Sequence, residues 1–183
     1  VMKLAPAEQK TLMSLAREAI RLAVSGGAPD ASWKNQITGG LKEQCAVFVS
    51  IYKENALRGS MGYALPVLPL WKAVGECAIY AAFRDPRFSP LIAEELDAVT
   101  LEITVVTAIK PVEQSADLSS GARGIMLKRG FRQAAMLPHV LKTGAWSTSN
   151  ALARLSRQIG PIEEGDAERD MLKIFSAEVY RES

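Results

Sequence analysis

The sequence predicts an α+β protein, built as two intimately packed subdomains of antiparallel or mixed sheet flanked by helices, with a cleft between them. Three observations lead there. Stretches with apolar residues at helical spacing are interleaved with short β-rich runs. The runs are joined mostly by hairpin-like turns rather than by the helical crossovers of a parallel sheet. The order hairpin, Leu-Pro, helix occurs after Cys45 and again after Gly124, although no residue pattern recurs with a fixed period. With 183 residues, 48% hydrophobic and 23% charged, the chain is long enough to bury a real core. It is read as a single domain over 1–183, with a boundary between subdomains near 107–124.

The first element is a helix from about Pro6 to Val24, where Leu12, Leu15, Ala16, Ala19, Leu22 and Ala23 form one stripe and Ser25-Gly26-Gly27 ends it. Residues 28–40, with Pro29, Asp30 and Gly39-Gly40, read as a loop. Cys45 to Ile51 is apolar on both faces apart from Ser50, which is the pattern of an interior strand. Lys53-Glu54-Asn55 turns the chain into a returning strand from Ala56 to Ser60. After the Pro66 to Pro69 loop, Leu70 to Phe83 forms a helix on the stripe Leu70, Val74, Cys77, Ala78 and Ala81, and Pro86 keeps Asp85 out of helical geometry.

Ser89-Pro90 resembles a cap followed by a first-position proline and predicts a short helix through Leu96. From Val99 the pattern alternates strictly. Val99, Leu101, Ile103 and Val105 take one face and Thr100, Glu102 and Thr104 the other, the signature of a half-exposed strand. Lys110 to Gly124 reads as a long surface loop. A second hairpin follows about Gly130, from Gly124–Arg129 to Phe131–Ala135. A helix capped by Ser147 or Ser149 then runs to Ile159 and stops at Gly160-Pro161, and Met171 to Val179 adds a last strand.

Several chemistries lack their residues. Cys45 and Cys77 sit in separate apolar runs and form neither a metal motif nor a disulfide framework, and the single His139 cannot build a zinc site, so no metal and no cofactor is implied. Ser60 has Arg58 rather than glycine two residues before it, so the nucleophile elbow is absent. Gly121-Ala122-Arg123-Gly124 follows a polar loop rather than a strand and is no dinucleotide fingerprint. No catalytic residue is assigned. No run reaches the 18 or so apolar residues of a membrane span. The start VMKLAPAEQK lacks a signal-peptide core, which predicts a cytoplasmic protein with no membrane partner.

The stretch Leu57-Arg58-Gly59-Ser60-Met61-Gly62 puts a fixed positive charge and two glycines after the most apolar strand, and Asp85-Pro86-Arg87 supplies the nearest matching carboxylate. Two readings stay open. In one, Arg58, Gly59, Ser60, Gly62, Asp85 and Arg87 bind an anionic ligand, with Asp85 or a neighbouring glutamate, Glu94 or Glu95, as acid or base. In the other, Arg58 pairs with Asp85 and the cluster is an ion-pair network joining the subdomains.

The same blocks carry a resemblance. LRGSMG, preceded by AVFVSI and followed by AAFRDPRF at 81–88, is similar to the AMME-syndrome candidate-region family, whose prokaryotic members are labelled AmmeMemoRadiSam system protein A. Its hallmark reads LRGCIG, so Ser60 replaces Cys and Met61 replaces Ile. LAREAI at 15–20, EELDAVTLEITVV at 94–106 and MLPHV at 136–140, where the family more often has Gln than His139, extend the match over most of the chain. The resemblance brings no established activity. It implies a component of a small enzymatic pathway with a Memo-type dioxygenase-like protein and a radical S-adenosylmethionine enzyme. The loss of the cysteine removes any thiolate chemistry at position 60.

Charge keeps two further classes open. Between 118 and 162 there is no acidic residue, while Arg123, Lys128, Arg129, Arg132, Lys142, Arg154 and Arg157 are all basic; beyond it Glu163, Glu164, Asp166, Glu168 and Asp170 reverse the sign, and the whole chain carries +2. The 118–162 segment binds nucleic acid if its basic residues share one face, or is cancelled by the acidic stretch folding beside it; Phe131 and Trp146 offer no ordered aromatic platform. A protein-interaction module, recognised by an exposed apolar patch without a closed pocket, is the other alternative.

Overall fold

The computed structural model describes residues 3–27, 35–112, 123–130, 132–143, 147–161 and 171–182. It has the α+β architecture, with helices α1 (Pro6–Val24), α2 (Leu70–Phe83), α3 (Pro138–Thr143) and α4 (Thr148–Ile159). The strands are β1 (Val47–Lys53), β2 (Ala56–Tyr63), β3 (Val99–Pro111), β4 (Arg123–Arg129), β5 (Arg132–Met136) and β6 (Met171–Arg181). The chain forms two compact units, one of Val1–Val105 with Glu178–Ser183 and one of Val106–Ala177.

In the first unit the strands run in the order β2-β1-β3, with the end of β6 beyond β3. The β1–β2 hairpin turns on Glu54 and Asn55, both in the left-handed region at φ 50° and 64°, which is the twist a two-residue hairpin needs. Both β1 pairings are antiparallel, and the register places Val47, Val49 and Ile51 opposite Val105, Ile103 and Leu101. All six are buried, as is Val99, so the face predicted from alternation is the core face. On it lies α2, whose Leu70, Val74, Cys77, Ala78 and Ala81 are fully enclosed, and α1 packs on α2 through Leu12, Leu15, Ala16, Ala19 and Ile20.

Three expectations need correction. Glu102 and Thr104 are also buried, at 1% and 0% exposure, so of Thr100, Glu102 and Thr104 only Thr100 meets solvent. The half-exposed strand is a strand covered on both sides with a polar second face. Ser89-Pro90 opens no helix: the Leu91 N–H donates to Ala82 O at 2.8 Å, buried Leu91 anchors the chain to the end of α2, and only a 3-10 turn, Ala93–Glu95, follows. The strand from Val99 does not stop at 105 but continues to Pro111, where a loop was expected from Lys110. The rest of that loop, residues 113–122, lies outside the described residues, as does the acidic stretch 163–170.

In the second unit β6 pairs with β4, and β4 pairs with β5 through a tight turn at Gly130. Helix α4 begins where Ser147 Oγ accepts the Asn150 N–H at 3.2 Å and sets Ala151, Leu155 and Ile159 onto Ile125, Leu127 and Met136. At its other end Arg132 donates to Ile159 O at 3.0 Å and to Pro161 O at 2.7 Å, and Arg129 donates to Gly160 O. Two cations thus satisfy the terminal carbonyls and oppose the negative end of the helix dipole.

Candidate ligand site on the first unit

The LRGSMG stretch is the edge strand β2, and its glycines answer to packing. Gly59 points at α2, where an added Cβ would sit 2.1 Å from Ala81 O. Gly62 lies under the Phe48 ring of the facing strand, where a Cβ would come within 2.2 Å of Phe48 Cδ1. Close approach is what the glycines permit, and what approaches is the protein itself.

Arg58 owes its direction to a bulge. Ile51 pairs with Gly59 and Tyr52 with Leu57, so Arg58 is the extra residue of β2 and leaves the regular alternation. Its guanidinium donates to Glu95 Oε1 and Oε2 at 3.1 and 2.8 Å and to Ser89 O at 2.8 Å. The predicted Arg58–Asp85 pair is therefore not formed; Arg58 pairs with Glu95, which Lys53 also reaches at 3.1 Å. The Arg58 hydrogen bond outweighs desolvation, and with Lys53 and the Ile92 N–H it holds the Glu95 carboxyl at about 2. With 15% of its side chain exposed and its N–H groups directed at Glu95, Ser89 and Pro90, Arg58 is a latch between β2 and the 89–95 segment.

Asp85 and Arg87 close the open side of β2. Asp85, 4% exposed, accepts the Ser60 N–H at 2.8 Å and the Arg87 N–H at 3.1 Å, and Arg87 Nε and Nη2 grip the same carboxylate at 2.9 and 2.6 Å. Burial alone pushes the Asp85 carboxyl up, but the hydrogen bonds from Arg87 and Ser60 prevail and leave it below its ordinary value. Arg87 Nη2 also approaches Ser60 O at 3.4 Å, so this turn engages both outward backbone groups of Ser60. Arg87 Nη1 makes no hydrogen bond among the described residues, and 43% of its side chain is exposed.

The Ser60 side chain points to the second face of the sheet. There the register aligns Ser60, Ser50 and Glu102 in one row across β2, β1 and β3, and Arg181 of β6 joins Glu102 by hydrogen bonds from Nε and Nη2. The Ser60 and Ser50 hydroxyls are 3.0 Å apart. Tyr52, next along this face of β1, lies under the Arg181 guanidinium at 5.4 Å. Desolvation first, then the Glu102 charge, push its phenol up. In the adjacent row Thr104 Oγ1 is fully buried and without a hydrogen-bond partner among the described residues, a cost that a plain core would avoid.

Sequence reasoning thus finds Ser60, Asp85 and Arg87, which the structure brings together, and joins Arg58 to the wrong carboxylate. It misses Ser50, Tyr52, Glu102 and Arg181. Glu102 alternating with apolar neighbours reads as a solvent-facing residue, and only the pairing of β1 with β3 reveals that it faces Ser50. The thiols stay apart from this row: Cys45 and Cys77 are buried, and desolvation pushes the Cys77 thiol up to about 12. Among the described residues no three His, Cys, Asp or Glu side chains are placed to hold a metal, and no helix is long and apolar enough to cross a membrane.

Fold and site together define an α+β protein whose edge strand is clamped by an Asp-Pro-Arg turn and whose second sheet face carries a polar row. Comparison with known proteins gives that class its family: the AMMECR1 family model matches residues 13–180, and the chain belongs to that family. A protein of Methanothermobacter thermautotrophicus is 34% identical over 99% of both chains. One of Nanoarchaeum equitans is 31% identical over 93% of this chain and 98% of its own. The crystal structure of an uncharacterized protein from Pyrococcus horikoshii superposes with a TM-score of 0.81 at 29% identity, covering 94% of this chain and 90% of that one.

Proposed function

We propose that this chain is the ligand-binding component of a small cytoplasmic pathway, acting with a Memo-type protein and a radical S-adenosylmethionine enzyme, and that it holds a small anionic ligand beside the LRGSMG strand. The observation that carries the reading is Arg87. Asp85 fixes one edge of its guanidinium next to Ser60, the side chain as a whole is 43% exposed, and Nη1, without a hydrogen bond among the described residues, is the group offered to an oxyanion. Arg58 supplies no such edge, because Glu95, Ser89 and Pro90 engage it. The ligand sits at Arg87 beside Ser60, with Asp85 as the group that orients Arg87 and Arg58 as the anchor of the strand.

Amide chemical shifts test this directly. Titration with millimolar acetate, lactate and inorganic phosphate is expected to move the Ser60 and Arg87 amides saturably, and Arg87→Ala is expected to abolish the response while the rest of the spectrum is retained. Anions that leave both amides unmoved refute the site. The pathway placement is tested separately, by co-purification with the Memo-type and radical S-adenosylmethionine proteins of the same genome.

The basic 118–162 segment argues less well for nucleic acid, since Arg129 and Arg132 are committed to the carbonyls that end α4.

A further inference from the structure

Helix α1 and the end of β6 enclose an open groove of about 570 Å³, all of whose walls belong to the first unit. One wall is the helix stripe Pro6, Lys10, Met13 and Arg17, and the other is Val179 to Glu182. At the Arg17 end the charges are matched: Arg17 pairs with Glu182 and donates to Leu96 O and Val99 O, and Glu182 also accepts the Leu101 N–H. Lys10 differs, being exposed and without an ion pair among the described residues. The strand wall presents its edge. Glu182 donates its N–H to Leu101 O of β3 and turns its side chain to Arg17, while Tyr180 packs on the core, so these two positions give α1 their side chains and β3 their backbone. Val179 and Arg181 alternate with them. The Arg181 side chain reaches Glu102 on the opposite face of the sheet, and the N–H and C=O of both residues turn away from β3, so they meet the groove along the outer edge of the strand. Strand β4 takes up that outer edge only from Met171 to Ser176, and no other strand of the described residues pairs with β6 beyond it. Whereas the edge of β2 is closed by Asp85 and Arg87, this one is flanked by an exposed Val179 and by Lys10.

We infer that this groove receives an extended acidic segment of a partner protein, which adds to the outer edge of β6 by main-chain hydrogen bonds and sets an Asp or Glu against Lys10 and an apolar side chain against Met13 and Tyr180. Length selects an extended chain over a compact ligand: from Pro6 to Arg17 the helix advances roughly 16 Å, the span of five residues in strand conformation. In an antiparallel addition the residues opposite Val179 and Arg181 exchange hydrogen bonds with them, and the residues between turn their side chains toward α1. Alternate positions of the partner therefore carry the recognition. Charge selects the sign. Arg17 is matched by Glu182 and Arg181 by Glu102, which leaves Lys10 as the cation of the lining whose partner has to come from outside. The groove shares no residue with the Arg87 site and stands or falls without it.

The probe is the synthetic peptide acetyl-Glu-Thr-Leu-Thr-Glu-amide, whose leucine has a glutamate two residues away on either side, so that one can meet Lys10 in either chain direction. Titrated into the full chain to millimolar concentration, it is expected to move the Met13, Val179 and Arg181 amides saturably, with the Val179 and Arg181 protons shifted downfield as they become donors. The same peptide with both threonine nitrogens methylated lacks the main-chain donors and is expected not to bind. Replacing its glutamates by glutamine is expected to weaken binding about fivefold, and Lys10→Ala to do the same to the acidic peptide. The two changes together are expected to cost no more than either alone, which a general charge effect would not reproduce. Absence of a saturable response, or equal binding of the methylated peptide, overturns the inference. Equal affinity for the glutamate and glutamine peptides overturns the acidic partner. Movement of the same amides on raising the protein concentration without peptide assigns the groove to a second copy of the chain and likewise overturns it.

Discussion

Ser60 is held mainly through its backbone, which Asp85 and Arg87 engage, whereas its hydroxyl makes a single bond to Ser50. Ser60→Ala is therefore expected to cost on the order of 1 kcal/mol in urea unfolding. Arg58→Ala removes a bidentate ion pair and two bonds to backbone carbonyls, and is expected to cost about 2–3 kcal/mol. A smaller loss for Arg58→Ala than for Ser60→Ala would contradict the latch. The same pair gives a pH signature. Glu95 titrates at about 2 in the folded chain against 4.5 ordinarily, so its contribution is complete above pH 4.5 and fades as pH falls from there toward 2. Asp85, also lowered, acts in the same direction. Melting temperature followed from pH 6 to pH 2 should fall more gently in Glu95→Gln than in the parent, and parallel curves would exclude Glu95 as an acid-sensitive group.

At the scale of elements, strand β2 is pressed between helix and sheet. Gly59→Ala places a methyl carbon against the Ala81 carbonyl of α2, a backbone atom that cannot swing aside, and is expected to destabilise by about 3 kcal/mol. Calorimetry of that variant decides the matter, since an unchanged melting temperature is incompatible with the packing described. The elements legible in the sequence were those whose pattern is local: α2 with its apolar stripe, the hairpin at Glu54-Asn55, and the Ser147 cap with the Gly160-Pro161 stop. Ser89-Pro90 misled because a cap-like pair guarantees no helix when the next N–H is already bound to the preceding element. Within the site, Asp85 and Arg87 were legible as neighbours of a turn. The choice of Glu95 for Arg58 depended on a bulge, and the alignment of Glu102 with Ser50 and Arg181 on strand pairings, neither of which leaves a mark in composition or spacing.

At the scale of the molecule, two of the seven basic residues of the 118–162 segment serve the fold. Arg129 and Arg132 end a helix, so the basic segment presents fewer free cations than its composition suggests. Binding of duplex DNA or RNA at physiological salt is expected to be weaker than micromolar in fluorescence anisotropy. Sub-micromolar binding with a steep salt slope would restore the nucleic-acid reading.

The first unit is completed by residues 178–183, which follow the whole of 106–177 in the chain. Arg17 of the first helix pairs with Glu182, and the Glu182 N–H donates to Leu101 O at 3.0 Å. During synthesis the amino-terminal half must therefore wait, with Glu102 and Arg17 short of their partners, until the second unit has been made. Contacts this distant slow folding and leave a vulnerable interval. A chain cut after Ala177 is expected to be degraded or aggregated in the cell, and addition of a synthetic 178–183 peptide is not expected to rescue it at micromolar concentration.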